Sequence, residues 1–146
     1  MNIRDLLFTC LLLLLGTGLF AAEPLFPQTP GMVSYTYRND FAKDLPGTLD
    51  KIKSLGIKDM EFSNLFNQTA AEIRRLLDER DMVCSSFGVS YVDLRSKTDE
   101  VASNAKTLGA KYVRVAWIPD RQPFTLELAE LTTREFNEIG RKLKQQ

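Results

Sequence analysis

The sequence predicts an α/β protein in which short strands alternate with helices in a parallel sheet. One observation is a repeat: KSLGIKDMEF at 53–62 returns as KTLGAKYVRV at 106–115. Another is the spacing of β-rich runs, which begin near residues 32, 57, 82 and 111 with helical patterns between them. Strand–helix units repeated in this way form parallel sheets covered by helices, so a doubly wound open sheet and a (β/α)₈ barrel are both candidates.

The N-terminal segment has the pattern of a secretory signal peptide. Residues 1–22 combine Arg4 near the start, an apolar run and then small residues. An uncleaved membrane anchor is the alternative, because the apolar part approaches the length of a spanning helix. Residues 23–31 hold three of the six prolines and are predicted to be a linker. The folded part is therefore expected at 32–146, in an exported, periplasmic or secreted protein.

The first two strands are predicted at 32–37 (MVSYTY) and 57–62 (IKDMEF), with one helix between them. Asp44 can cap the start of that helix, and apolar residues recur on one of its faces. Gly56 is predicted to end it, since glycine often follows the last helical turn. The repeated Leu-Gly-apolar-Lys segment is thus the joint between a helix and the next strand.

The second half of the chain continues the same alternation. Thr69 begins a capping box for the second helix, and 82–87 (MVCSSF) is predicted to be the third strand. A third helix is expected from about Thr98, followed by a fourth strand at 111–118. Thr132 is predicted to start the fourth helix.

The barrel is the better candidate, because YTYRNDF after the first strand contains no glycine-rich phosphate loop. A complete barrel has eight units and about 250 residues, so this chain is predicted to belong to the TIM-barrel lineage, truncated to about four βα units. A fragment of a longer product is favoured over two copies completing a barrel or an open sheet. The side chains expected to face the barrel interior are Val33, Tyr35, Met60, Val83, Val113 and Val115.

Composition excludes several classes of protein. Lys plus Arg and Asp plus Glu both number 19, so the neutral chain lacks the charge excess typical of nucleic-acid binding. There is no histidine, which excludes a Ser-His-Asp triad and leaves Cys84 without a histidine to activate it.

Four segments in order resemble bacterial sugar phosphate isomerase/epimerase-like proteins, which have a xylose isomerase-like barrel. They are YTYRND, GTLDKIKSLGIKDMEF, VRVAWIP and EFNEIGRKLKQQ, and the resemblance covers 31–146. It implies metal-assisted proton transfer on a carbohydrate, with Mn, Mg, Co or Zn as cofactor in full-length members. Their ligands lie mainly on strands five to eight, and a histidine near the end of strand three corresponds to Phe87 here. We therefore assign no metal ligand and expect this chain to bind no metal.

Candidate site residues lie at the C-terminal ends of the predicted strands, where barrel enzymes place their working groups. Glu61 is the candidate catalytic residue, because a carboxylate there could bind a sugar hydroxyl or act as a base; a solvated loop-edge charge is the alternative. The candidate substrate-binding residues are Tyr37, Arg38, Phe87 and Trp117.

Three of the binding candidates also have a structural interpretation, and for Tyr37 it is filling of the barrel interior. Arg38 could contact the substrate or form a salt bridge with Asp40 or Asp44. Trp117 could stack on a sugar ring or contribute to packing at the barrel mouth.

The leading hypothesis is a sugar isomerase/epimerase-like protein, incomplete or inactive as this chain. A non-catalytic carbohydrate-binding or interaction remnant is the alternative. A DNA-repair endonuclease of the same fold conflicts with the leader and the neutral charge. The expected partners are a small carbohydrate and a second copy completing the barrel, with no nucleic acid and with membrane contact only through an uncleaved leader.

Overall fold

The computed structural model describes residues 30–119 and 125–146, so the predicted signal peptide and nearly all of the predicted linker lie outside the described residues. In chain order the elements are β1 (Gly31–Val33), a 3₁₀ helix (Ser34–Tyr37), α1 (Arg38–Lys43), α2 (Leu45–Ser54), β2 (Asp59–Phe62), α3 (Ala70–Asp78), β3 (Val83–Val89), α4 (Tyr91–Ser96), α5 (Thr98–Leu108), β4 (Tyr112–Val115) and α6 (Leu126–Lys144).

The four strands form one sheet in the order β1-β2-β3-β4, and each neighbouring pair is parallel. A doubly wound sheet reverses its strand order at a switch point, whereas a barrel adds each new strand beside the last. The observed order therefore confirms an α/β fold with a partial TIM-barrel-like arrangement.

The main apolar cluster lies between the helices and one face of the sheet. Strand residues Met60, Phe62, Cys84 and Phe87 are buried there. From the helices the cluster receives Phe41, Leu45, Leu49, Ile52, Ala70, Ile73, Leu76, Leu77, Ala105 and Leu108. Full burial of a side chain of this size contributes about 1.5–3 kcal/mol, so this layer supplies most of the hydrophobic stabilisation.

The opposite face of the sheet, here called the inner face, carries the alternate side chains of each strand. Val33 and Val83 are on it as predicted, since they are in register with Glu61 and Asp59 respectively. Val83 is 54% exposed. Residues of the inner face used below are Asp59, Glu61, Val83, Ser86, Tyr112 and Arg114.

The prediction of inward-facing side chains was wrong for the others. Met60 packs into the main apolar cluster, and Val113 and Val115 pack against a second cluster under α6. Tyr35 is 59% exposed outside the sheet. Successive side chains of a strand point to opposite faces of the sheet. In these strands the charged residues that alternate with the apolar ones occupy the inner face.

Strand β1 is shorter than predicted, because the chain turns into a 3₁₀ helix at Ser34. The buried Ser34 hydroxyl accepts a hydrogen bond from the Ser63 amide at 2.8 Å and lies 3.0 Å from the Ser63 hydroxyl. This contact ties the turn to the end of β2. Gly31, expected to end the linker, is instead the first residue of β1.

Helix α6 begins six residues earlier than predicted. Thr125 caps it by accepting from the Leu128 amide at 3.2 Å, whereas the Thr132 hydroxyl donates to the Leu128 carbonyl inside the helix. Helix α4, capped by Ser90, was not predicted. Within the described residues, no helix is long and apolar enough to cross a membrane.

Candidate functional site

An ion pair on the inner face joins β2 to β4 across β3. The Nε and Nη2 atoms of Arg114 lie 2.6 and 2.5 Å from Oε1 of Glu61. The Glu61 side chain is 19% exposed and that of Arg114 is 45% exposed, so the pair is accessible to solvent on the inner face. Two donors directed at one oxygen hold the carboxylate in a defined orientation.

A β-bulge positions Glu61 in the sheet. The register of β2 and β3 shifts after Met60, which pairs with Cys84, so that Glu61 lies beside Ser86. The amide of the extra residue, Ser85, donates to the Asp59 carboxylate at 3.1 Å. Bulges commonly re-aim side chains near functional sites, and this one brings the Ser86 side chain beside Glu61.

Gly88 allows β2 and β3 to approach closely at their C-terminal ends. A Cβ atom at this position would lie 3.1 Å from the Cα of Ser63. Gly88 is also in register with Arg114 on β4.

The ion pair favours the charged form of Arg114. The hydrogen bond from Arg114 to Glu61 raises the pKa of the guanidinium, against the lowering effect of partial burial. Arg114 therefore stays a cation throughout the usable pH range. The arrangement offers a carboxylate that can accept a hydroxyl proton and a cation that can bind an anion.

A cleft of about 650 Å³ lies next to this edge of the sheet, between the loops that follow β2 and β3. Its lining combines apolar side chains with hydroxyl, amide and charged groups, and we call it the rim cleft. Among the residues around it are Ser63, Asn64, Phe87, Ser90, Lys97 and Asn104.

The loop that borders the rim cleft holds an unusual backbone conformation. Phe66 and Asn67 have φ of 47° and 60°, values uncommon for residues other than glycine. The Asn64 side chain accepts from the Phe66 amide at 2.7 Å, and the Phe66 ring stacks on Phe41 with centroids 5.1 Å apart. Aromatic packing thus compensates for the strain and fixes this wall of the cleft.

Tyr37 and Arg38, the predicted binding residues of the first strand–helix unit, contact other residues of the protein. The Arg38 guanidinium stacks over the Tyr35 ring at 4.5 Å and donates to the Tyr35 carbonyl at 3.2 Å. Tyr37 packs against the main apolar cluster, with the Lys51 ammonium 4.7 Å from its ring centroid. Arg38 was considered as a salt-bridge partner of Asp40 or Asp44. The Asp40 carboxylate instead lies 4.0 Å from the Lys51 ammonium.

The other two predicted binding residues differ in exposure. Phe87 is 4% exposed, belongs to the main apolar cluster and borders the rim cleft. Trp117 follows β4, is 71% exposed and borders a smaller pocket with Val89 and Tyr91. Only Phe87 of the four binding candidates borders the rim cleft, and Glu61 is paired with Arg114.

Arg114 was missed by the sequence analysis. The signal was available for Arg114, because in YVRV the arginine alternates with two valines that face the helices. A charged residue in that phase must lie on the inner face. The face of the sheet on which Ser86 lies could not have been predicted, because it depends on the bulge.

The described residues do not fit the metal site that the resemblance implies. Within 30–119 and 125–146, no group of three or more His, Cys, Asp or Glu side chains could hold a metal ion. The Glu61 carboxylate is already engaged by two nitrogens of Arg114.

The fold is similar to the crystal structure, at 1.70 Å resolution, of a sugar phosphate isomerase/epimerase from Parabacteroides distasonis. The match has a TM-score of 0.62 and 17% sequence identity, and it covers 86% of this chain and 52% of that chain. The chain therefore spans about half the length of that structure. The resemblance noted in the sequence is confirmed at the level of the fold. No protein-family model matches the sequence, and no curated protein matches it.

Proposed function

We propose that this chain is part of a sugar (phosphate) isomerase/epimerase-like protein that acts on a carbohydrate by proton transfer, with Glu61 as the group that moves the proton. The observation that carries the proposal is the Glu61–Arg114 pair, which lies on the inner face of a partial barrel whose fold resembles that of a sugar phosphate isomerase/epimerase.

The geometry suits a polar substrate of sugar size. Ligand sites are usually concave, with volumes of about 300–1,000 Å³ and a few convergent polar groups, and the rim cleft falls in this range. Neither Glu61 nor Arg114 lines the rim cleft, so the proposal places the reacting end of the sugar on the adjacent inner face, where a carbon-bound proton would lie near a carboxylate already oriented by Arg114. Metal assistance, as implied by the resemblance, would need ligands other than the described residues.

The test uses deuterium incorporation and fluorescence. Trp117 is the only tryptophan in the chain, so its emission reports on the region after β4. We expect saturable emission changes with pentose or hexose phosphates and, in D₂O with Mn²⁺ or Mg²⁺ present, deuterium exchange next to the sugar carbonyl. Glu61→Gln should reduce the exchange rate at least about 100-fold, as expected for loss of a general base, with little change in affinity.

Glu138→Gln is the matched control, because Glu138 forms an exposed pair with Lys142 on α6. It should exchange deuterium like the unmodified protein. Equal exchange rates in both variants would show that Glu61 does not transfer the proton.

A non-catalytic carbohydrate-binding protein is the second candidate. The observation that favours it is the engagement of Glu61 by Arg114, together with the exposed rings of Tyr35 and Trp117. Binding of sugars without any deuterium exchange would support this candidate over the first.

A further inference from the structure

We propose that Asp59 is a positioning residue: its carboxylate holds the β-bulge at Ser85, and the bulge brings the two members of the ion pair to one face of the sheet. Asp59 lies two positions before Glu61 in β2, so both side chains are on the inner face. The inference rests on the proposed function, because it gives Asp59 a part in the reaction of Glu61.

The bulge leaves Ser85 outside the ladder between β2 and β3. Met60 pairs with Cys84 and the next residue, Glu61, pairs with Ser86, so Ser85 has no partner residue on β2. Polar backbone groups within a sheet need hydrogen-bond partners, and the extra residue of a bulge must find them elsewhere.

A side chain and a neighbouring backbone group supply the missing partners. The Ser85 amide donates to Oδ1 of Asp59 at 3.1 Å, in a partly buried contact. The Ser85 carbonyl accepts from the amide of Lys111, the residue before β4, at 3.0 Å. The bulged residue is therefore held from β2 by a carboxylate and from the start of β4 by the backbone. Hydrogen bonds to a charged acceptor are stronger than those to a neutral one, which makes Asp59 suited to this task.

The bulge decides which side chains of β3 face inward. Side chains alternate along a strand, and a shift of one residue moves every later side chain to the other face. Val83 is on the inner face before the bulge, and Ser86 and Gly88 hold inner-face positions after it. Phe87 is thereby directed into the main apolar cluster. Without the extra residue, Phe87 would lie on the inner face and Gly88 on the helix-covered face.

The alternation of β3 carries over to β4 and places Arg114. Arg114 is in register with Gly88, and Val113 with Phe87. Residues in register on neighbouring strands point to the same face, so Arg114 shares the inner face with Glu61 because of the bulge. Strands β2 and β4 lie about 10 Å apart, twice the usual strand spacing, and a guanidinium on the opposite face would not reach Glu61.

Two protons report on this positioning without any sugar present. They are the backbone amide proton of Ser85 and the Nε proton of Arg114, whose hydrogen exchange is measured by nuclear magnetic resonance on the full chain. Asp59→Ala removes the acceptor and should speed the exchange of both protons at least about tenfold, since a hydrogen bond to a charged group is worth that factor. Asp59→Asn keeps an acceptor oxygen and should restore both rates to within about threefold of the unmodified protein.

Asp50→Ala is the matched control. Asp50 also accepts side-chain hydrogen bonds, from Arg80 at 2.8 and 3.1 Å, but it lies on α2 rather than in the sheet. Its substitution should leave the exchange of the Ser85 and Arg114 protons unchanged. The control separates loss of the bulge contact from a general loss of stability.

Deuterium incorporation into the sugar tests whether the position matters for the reaction. Asp59→Ala should lower the rate at saturating sugar at least about tenfold, because a misplaced carboxylate transfers a proton slowly, and should change the half-saturating concentration by less than about twofold. Asp59→Asn should recover most of the rate. If Asp59 itself transferred the proton, the asparagine variant would be as slow as the alanine variant.

Circular dichroism checks that the variants remain folded. If Asp59→Ala unfolds, Asp59→Val replaces it, since valine also lacks an acceptor and favours strands. The proposal is overturned by unchanged exchange of either proton in a folded variant without the acceptor, or by an Asp59→Asn protein that is no faster than Asp59→Ala. Faster exchange of both protons in Asp59→Ala, with no deuterium incorporated into sugar even by the unmodified protein, would contradict only the proposed function, since Asp59 would still position the pair.

Discussion

At the residue scale, Glu135 on α6 joins this helix to α4. Its carboxylate accepts a hydrogen bond from the Tyr91 hydroxyl and lies 2.8 Å from the Arg95 guanidinium. The Tyr91 ring also packs on Phe136, with centroids 5.7 Å apart. Since α4 was not predicted from the sequence, this contact could not be predicted either.

Tyr91→Phe should lower the free energy of unfolding by about 1 kcal/mol, because it removes one hydrogen bond to a charged acceptor and keeps the ring contacts. Urea unfolding followed by circular dichroism measures the change. Tyr112→Phe, at a 68% exposed position, is the control and should change stability by less than about 0.5 kcal/mol. A Tyr91→Phe protein as stable as this control would show that the hydroxyl contributes nothing.

The Glu61–Arg114 pair shows what residue-level prediction can achieve. Glu61 was found because a carboxylate at the end of an apolar strand is conspicuous. Arg114 was not paired with it, because the two are 53 positions apart and meet only through the order of the strands and the bulge in β3. The local sequence pattern identifies a charged residue on a strand, but the register of the sheet determines which residue it pairs with.

At the element scale, the repeat is explained by backbone conformation. Gly56 and Gly109 follow α2 and α5 with φ of 81° and 77°, the left-handed region in which helices commonly terminate. The glycine is the feature that both copies of the repeat need. This joint was predicted correctly because its cause is local.

Gly56→Ala and Gly109→Ala should each destabilise the protein by about 1–2 kcal/mol, the cost of a Cβ in the left-handed region. Crowding adds little, since a Cβ at Gly56 would meet nothing within 4 Å and one at Gly109 would lie 3.6 Å from Arg74. Gly140→Ala is the matched control inside α6, also in open space, and should stabilise by about 0.5–1 kcal/mol. Thermal or urea unfolding that shows the same sign for all three changes would contradict this explanation.

Elements with non-local causes were predicted less well. The MVSYTY run has the composition of a strand, yet only its first two residues lie in β1, because Ser34 turns the chain toward Ser63. Helix α6 was placed too late because Thr132 resembles a cap, although its hydroxyl bonds within the helix. Composition did not reveal which threonine would lie at the helix end.

At the scale of the whole molecule, four strand–helix units were enough to predict the order and direction of the sheet. They were not enough to predict which side chains face inward, because the inner face is polar and partly charged rather than apolar. The expectation of apolar barrel filling failed for this reason at Met60, Val113 and Val115.

The acid side of the stability profile follows from carboxylates that accept side-chain hydrogen bonds in the folded protein. Side-chain hydrogen bonds lower the pKa of Asp50, Asp81 and Asp93, with Arg80, Lys58 and Ser90 as the respective donors. A carboxyl whose pKa is lowered by folding stabilises the protein above its unfolded value of 3.8. That contribution is lost as the pH falls through the lower folded-state value.

The alkaline side depends on two neutral groups. Burial, the largest cause, raises the pKa of Cys84 and Tyr91 above 9.0 and 10.0, so their contribution is full below those values and is lost as the pH rises through the folded-state values. The chain has no histidine, the side chain that ordinarily titrates near neutrality. We therefore expect the free energy of unfolding to be flat between about pH 6 and 8, to fall below about pH 4 and to fall above about pH 9. Urea titrations across this range at constant ionic strength measure the profile, and a slope near pH 6.5 would require an ionisation that these contacts do not provide.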